Sequence, residues 1–391
     1  MPQHDKMNNN KTPWVVNMIK VMNKWRVAKG KPSIDCEPHK DKIIAAFEAW
    51  KEADKTKMTF KELKGEKKET TIIVTCEGAE PNQIVLRVRE LPETENEHYH
   101  SESDATKATA EAGFAPKRLD AGEELLFVLE EYAGVEPSKE KTHNDMAELL
   151  ANIHKVPTEW FDKYREKVTE THEVLKEVSP GNPVWWYATH PECLKGIEAE
   201  VLKGLVEDAT EPISESGKKV VTCHGNFHKD NVLENAEKKL TAIDFEFACS
   251  GWAALDIAMH FNYTPYSVAQ KKEFIDAYLK ASGQEEENVE ETGKLLYDVE
   301  MAGTRAGMSN SYLTTCYAMK DNKGYQGEVW AEILKYELKA REDADVQKKI
   351  VANGVWLAAA TDGDDAYKKT WEKWSKLYMG GSKGCCACNI M

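Results

Sequence analysis

Apolar positions recur along the chain with two different periods. Trp14-Val15-Val16, Met18-Ile19, Val21-Met22 and Trp25 follow helical spacing, and Ile43-Ile44-Ala45-Ala46-Phe47 with Trp50 predicts a second helix. Pro32-Ser33 and Glu37-Pro38 punctuate the link. Such stripes are usually core, so both helices are expected to pack onto the small lobe, with a membrane surface or a partner as the alternative. From Lys57 the period becomes that of strands. Thr70 to Thr75 and Gln83 to Val88 are β-branched runs around a turn with Gly78, Pro81 and Asn82. Glu102 opens a predicted helix ending at Ala112-Gly113, and Leu125 to Tyr132 reads as a strand. Helical spacing then dominates, in Met146 to His154, Ile197 to Val206, Lys271 to Ser282, Leu295 to Met308, Val329 to Leu338, and Val355 to Ala360 with Trp371 and Trp374. No internal repeat is visible.

Between Thr222 and Phe261 short apolar runs frame polar ones. Val220-Val221 lead into His224-Gly225-Asn226-Phe227-His228-Lys229-Asp230-Asn231. Val232-Leu233 and Leu240-Thr241-Ala242-Ile243 then flank a turn, and Asp244-Phe245-Glu246 comes directly after. Polar groups at the ends of short buried strands suit a catalytic loop, because the scaffold fixes them and the loop exposes them. The amide of Asn231 and the carboxylate of Asp244 are hard oxygen ligands of the kind Mg2+ takes alongside phosphate oxygens. Phosphoryl transfer needs positioning, metal and a group that orients the attacking hydroxyl. The kinase pattern is H-x-D-x-x-x-x-N followed by D-F-x. His224, Asn231, Asp244 and Phe245 fill four of those places, and Asn226 stands in the fifth, where the catalytic Asp belongs.

Together with Phe247-Ala248, Gly251, Asp256-Ile257-Ala258 and His260-Phe261, this ordered set resembles the choline/ethanolamine kinases, within the broader aminoglycoside-phosphotransferase-like kinases. The resemblance implies an α+β, two-lobed protein-kinase-like fold, with a small β-rich N-lobe and a larger α-rich C-lobe. Residues 1–57 would be a helical extension, 58–133 the nucleotide-binding N-lobe, 134–379 the catalytic and substrate-binding C-lobe, and 380–391 a flexible tail. It implies ATP and Mg2+ as cofactors, transfer to the hydroxyl of a small amino alcohol, and a homodimer. Asn231 and Asp244 would hold the metal, His224 would brace the loop, and Asp256 would anchor it by hydrogen bonds. Arg87 stands where kinases use Lys, and its fork would hold the phosphates bidentately with Glu102 as support. A surface ion pair is the plainer reading of those two. The backbone after Leu129, near Glu131, would meet adenine. The loop Leu63 to Glu69 would lie over the phosphates with one glycine, Gly65, where relatives show more. Lys67 and Lys68 there read as a solvated turn, with phosphate attraction as the alternative. His154 is expected to be structural.

The acceptor side departs from the family. A quaternary ammonium is best held by aromatic faces with a carboxylate nearby. Tyr263 stands where the family carries an acidic residue, and Tyr312 and Tyr317 lie near where it shows two Trp. Glu246, Tyr263 and Tyr266 are the acceptor candidates, although aromatics on helices are more often core. Another alcohol, such as an aminoglycoside or a sugar, stays open. Asn226 adds a second departure, since an amide is no base. Losing a general base typically costs about 10²–10⁴-fold, while loose phosphoryl transition states depend on it less. An engineered inactive variant, a pseudokinase acting as a lipid-anchored binding module, and a slow kinase all fit.

The chain has 391 residues, 41% hydrophobic and 30% charged, enough for a sizeable core. A net charge of -15 argues against nucleic acid as a partner. Cys36, Cys76, Cys193, Cys223, Cys249 and Cys316 lack metal-ligand spacing and read as reduced thiols of a cytoplasmic protein. The start, MPQHDKMNNNK, lacks the apolar segment of a secretory signal, and no apolar run approaches the ~20 residues of a membrane span. Cys388-Asn389-Ile390-Met391 fits a C-a-a-X farnesylation motif, with Cys385 and Cys386 as palmitoyl sites. One lipid chain anchors only weakly, so the expectation is a reversible membrane association, with an unmodified tail as the alternative.

Overall fold

The structure, a computed structural model, describes residues 40–63, 69–89, 98–121, 127–189, 199–209, 211–264, 266–284 and 288–302. The first predicted helix, Lys67, Lys68, Tyr312, Tyr317 and the cysteines of the tail lie outside the described residues.

The strand-period segment folds into one antiparallel sheet. It contains β1 (Met58–Glu62), β2 (Glu69–Cys76), β3 (Gln83–Arg89), β4 (Arg118–Ala121) and β5 (Phe127–Glu131) in the order β1-β2-β3-β5-β4. The pleat sends alternate side chains to opposite faces. Ile72, Val74, Ile84, Leu86 and Leu129 share one face and form a buried cluster with Ile43, Trp50 and Met58. Ile43 lies on α1 (Lys40–Ala46). The predicted second helix is therefore shorter than its apolar stripe, because Phe47 adopts an extended conformation and Trp50 falls in a separate 3-10 turn. The Trp50 indole N–H donates to the Pro81 carbonyl at 2.8 Å, which closes the turn between β2 and β3 over this core.

α2 (His98–Glu111) begins ahead of Glu102, so that residue lies inside the helix rather than opening it. Ala105 and Ala110 on α2 belong to the second, larger core. That core is helical: α3 (His143–Ile153), α4 (Asp162–Thr171), α5 (Ala199–Asp208), α6 (Ala253–Tyr263), α7 (Val268–Ala281) and α8 (Val289–Ala302). Thr142 and Asp145 cap α3 reciprocally, and Met146, Leu149, Leu150 and Ile153 line its buried stripe. Two short ladders cross this half, β6 (Val220–Cys223) with β9 (Cys249–Trp252) and β7 (Val232–Glu234) with β8 (Leu240–Ala242).

The two halves are pinned at the chain segment after β5. Val135 exchanges backbone hydrogen bonds with Glu234 on β7, at 3.1 and 2.7 Å. Gly134 makes this approach possible: φ is +119°, and a Cβ would lie 2.1 Å from the Glu234 carbonyl oxygen. The Glu234 carboxylate accepts the Ser138 amide at 2.6 Å. The sheet is thereby tied to the hairpin that carries the site.

Candidate active site

Hairpin β7–β8 sets the centre. Val232 pairs with Ala242, and one step beyond, the Ile243 amide donates to the Asn231 carbonyl at 2.9 Å. Asn231 and Asp244 therefore lie at adjoining strand ends. Asn231 is buried, and its Nδ2 donates to the Asn226 carbonyl at 2.9 Å, which turns Oδ1 to the other side of the amide. Asp244 has φ +68°, a left-handed conformation uncommon outside glycine and most accessible to Asn and Asp. An amide oxygen and a carboxylate suit Mg2+, which retains room for phosphate oxygens and water. Among the described residues, no group of three or more His, Cys, Asp or Glu could hold a metal by itself.

His224 is fully buried and joins the loop to the strand end. Its Nδ1 accepts the Asn226 amide at 3.3 Å and its Nε2 donates to the Ile243 carbonyl at 2.9 Å, a tautomer assigned from these partners. Burial lowers its pKa. The ring is neutral and both nitrogens are committed, so His224 braces Asn226 against the Asp244 turn and is no substitute base.

Asp256, on α6, anchors the start of the loop. Its carboxylate accepts the His224 amide at 2.6 Å, the Gly225 amide at 2.9 Å and His154 Nε2 at 3.1 Å. Burial alone would raise its pKa; the His154 hydrogen bond, the neighbouring imidazoles and the His224 amide outweigh that and hold it below the usual range. His154 is oriented in turn by the Tyr278 hydroxyl at 2.8 Å, a structural role. Gly225 has φ +76°, and a Cβ there would lie 2.0 Å from the Phe247 carbonyl oxygen. The candidate catalytic loop thus packs backbone to backbone on the segment after Asp244. Asp230 is largely exposed, and its amide donates to His228 Nδ1 at 3.3 Å, capping the turn Lys229–Asn231.

His260, also on α6, supports the middle of the loop. Its Nδ1 donates to the Phe227 carbonyl at 3.2 Å, and its Nε2 accepts the Tyr266 hydroxyl at 3.1 Å. Burial lowers its pKa to about 4. Tyr266 is half-buried among Phe261, Phe274 and His143, and its hydroxyl points inward to His260. Tyr263 is the last residue of α6, and Glu246 is half-buried two residues past Asp244.

Arg87 lies on the face of β3 opposite the Ile84-Leu86 core. Its Nη2 is 2.6 Å from Glu102 on α2 and its Nη1 is 3.5 Å from Glu130 on β5. All three side chains are at most 14% exposed. Glu131 is turned to the sheet edge, where its carboxylate accepts the Lys117 amide at 3.2 Å. Glu130 escaped the sequence reading. The signal was there: Val128 registers opposite Arg87, and Glu130, two residues on, shares its face. The pairing of Phe247 with Trp186 escaped it too. Their rings stack with centroids 6.0 Å apart at 22°, both half-buried, next to the loop's contact at Gly225. Trp186 lies far away in sequence, so no spacing rule could join them.

A family model described as choline/ethanolamine kinase matches residues 60–308. A probable choline kinase 2 of Arabidopsis thaliana is 25% identical over 127 residues, 28% of this chain and 36% of that protein. The aligned stretch thus spans little more than a third of that curated relative. Among solved structures, an ethanolamine kinase of Plasmodium vivax superposes with a TM-score of 0.50 at 17% identity, covering 72% of this chain and 82% of that one. A choline kinase of Cryptosporidium parvum gives 0.51 at 15% identity, covering 83% and 99%. These likenesses show the fold, α+β and protein-kinase-like, with a sheet-built lobe and a helical one.

Proposed function

Since the chain belongs to the choline/ethanolamine kinase family, we propose that it transfers the γ-phosphoryl group of ATP to the hydroxyl of a small amino alcohol. The observation that carries this reading is the hydrogen-bonded unit of Asn226, Asn231 and the Asp244 strand end, tied by the Asn231 amide, the Ile243 amide and His224. Asn231 Oδ1 and the Asp244 carboxylate would hold Mg2+, which when bound neutralises charge on the phosphates. Arg87 would lend its fork to the phosphates, kept in place by Glu102 and Glu130. A buried cation already surrounded by carboxylates needs little reorganisation to meet an incoming anion.

Asn226 would orient the acceptor hydroxyl by hydrogen bonding without taking its proton. His224, neutral and doubly engaged, leaves that role empty. The proton then leaves late, with the transferring phosphoryl oxygens as its destination, which suits a loose transition state and a slow enzyme. The half-buried Trp186–Phe247 stack supports an ammonium-bearing acceptor, because an aromatic face attracts a cation.

Asn226→Asp tests the reading. With labelled ATP and a panel of choline, ethanolamine, an aminoglycoside and a sugar, the variant should gain about 10²–10⁴-fold with an amino alcohol. A gain confined to the sugar would displace the amino-alcohol assignment. Nucleotide binding without turnover in either form would instead describe a binding module.

A further inference from the structure

We propose that Cys223 and Cys249 form a peroxide-sensitive dithiol that closes to a disulfide at the base of the catalytic loop. The two are direct register partners in the β6–β9 ladder. Opposed residues in antiparallel strands have Cα atoms about 4.5–5.5 Å apart, inside the range of about 4.4–6.8 Å that disulfides span. Partners share a sheet face, and so do residues two apart, so Cys223, Cys249 and Gly251 lie on one face. Gly251 leaves that face open beside both sulfurs: a Cβ there would lie 3.2 Å from Cys223 Sγ and 3.8 Å from Cys249 Sγ. Cys223 Sγ donates to the Trp252 carbonyl at 3.8 Å, and the neighbouring Cys249 side chain, ahead of burial, pushes the Cys223 thiol well up. Both are free; Cys223 is buried and Cys249 half-buried, so only Cys249 meets a small oxidant from solvent.

The oxidant is hydrogen peroxide. The Cys249 thiolate attacks one peroxide oxygen; an S–O bond forms, the O–O bond breaks, and the departing hydroxide is protonated to water. The Cys223 sulfur then attacks the Cys249 sulfur; the S–S bond forms, the S–O bond breaks, and the Cys223 proton leaves in a second water. Two thiols lose two electrons and one peroxide becomes two waters. A dithiol reductant reverses the bond by exchange. β6 ends directly before His224, and β9 begins directly after Ala248. The bond would therefore staple the catalytic loop to the Asp244 turn where ladder hydrogen bonds and the Gly225–Phe247 packing now join them. This inference stands apart from the reaction proposed above, and its test needs no turnover.

The folded full-length chain is treated with hydrogen peroxide, blocked with N-ethylmaleimide and cut with trypsin. Cleavage at lysine gives peptides 220–229 and 240–271, each with one cysteine. The expected product is the two peptides linked, separable by dithiothreitol, absent in Cys249→Ala and in Cys223→Ala. Both peptides carrying N-ethylmaleimide after peroxide would overturn the proposal. So would Cys249 linked to any other cysteine, or a 220–229/240–271 link that forms only in urea. The wild-type result alone decides the matter if a variant fails to fold.

Discussion

Arg87 and the catalytic loop are both held in the interior by carboxylates, but in different ways. Arg87 is gripped side chain to side chain, by Glu102 and Glu130. The loop is gripped by its backbone, with Asp256 on the amides of His224 and Gly225 and His260 on the Phe227 carbonyl. Side-chain pairs can re-form around an arriving anion. A backbone grip fixes the loop itself, and with it the spacing of Asn226, Asn231 and Asp244. On the proposed function, a reaction that depends on geometry more than on bond-making groups would place the rigid grip under the reacting atoms and the adjustable one under the phosphates.

The largest effect should come from removing the backbone grip. Asp256→Ala leaves two buried amides and His154 without their acceptor, and the expected loss is about 3–5 kcal/mol, read from the urea midpoint. A loss under about 1 kcal/mol would mean that the amides find other partners and that the contrast between the two grips is false.

Acid should attack the loop next. His260 titrates at about 4 in the folded chain against 6.5 when free, so the folded state binds fewer protons between those values. Its contribution is fully present above about pH 6.5 and is lost as pH falls through about 4, reaching about 3 kcal/mol there. The cause is burial between the Phe227 carbonyl and the Tyr266 hydroxyl, with Asp256 and His228 as the charged neighbours. Asp298, raised to about 6 by burial, pulls the opposite way over the same range. The difference between wild type and His260→Gln, followed by denaturation from pH 7 to 4, cancels such terms. It should shrink as pH falls; a constant difference would free His260 from any part in acid lability.

Much of this arrangement was legible in the sequence, for physical reasons. That Asn231 and Asp244 come to adjoining strand ends was readable because a short hairpin fixes their separation: the apolar runs Val232-Leu233 and Leu240-Ala242 bring Asn231 beside Ile243. Asp256 was readable as an anchor because it came in a recognisable order after the loop. β1, β4 and β9 escaped, being five residues or fewer with mixed polarity such as Cys249-Ser250-Gly251-Trp252. The helix holding Glu102 started early because its N-terminal part, His98-Tyr99-His100-Ser101, carries no strong apolar period. The Trp186–Phe247 stack and the Cys223–Cys249 pairing are products of tertiary folding, and the chain's local pattern does not encode them.

The smallest effect should fall on the adjustable grip. Glu102→Gln removes one charge next to Arg87 but keeps the shape, and Glu130 remains 3.5 Å from the guanidinium. The buried cation is therefore not stranded, and the expected loss is about 1.5–3 kcal/mol, the range of a single charged hydrogen bond. Glu130→Gln alone should cost no more. The double variant leaves Arg87 buried without either carboxylate and should exceed the sum of the singles by about 0.5–3 kcal/mol, since the two share one partner. Strict additivity would show that the two carboxylates act independently rather than through Arg87 as a shared partner, and the side-chain grip would then be two separate contacts instead of one adjustable cluster.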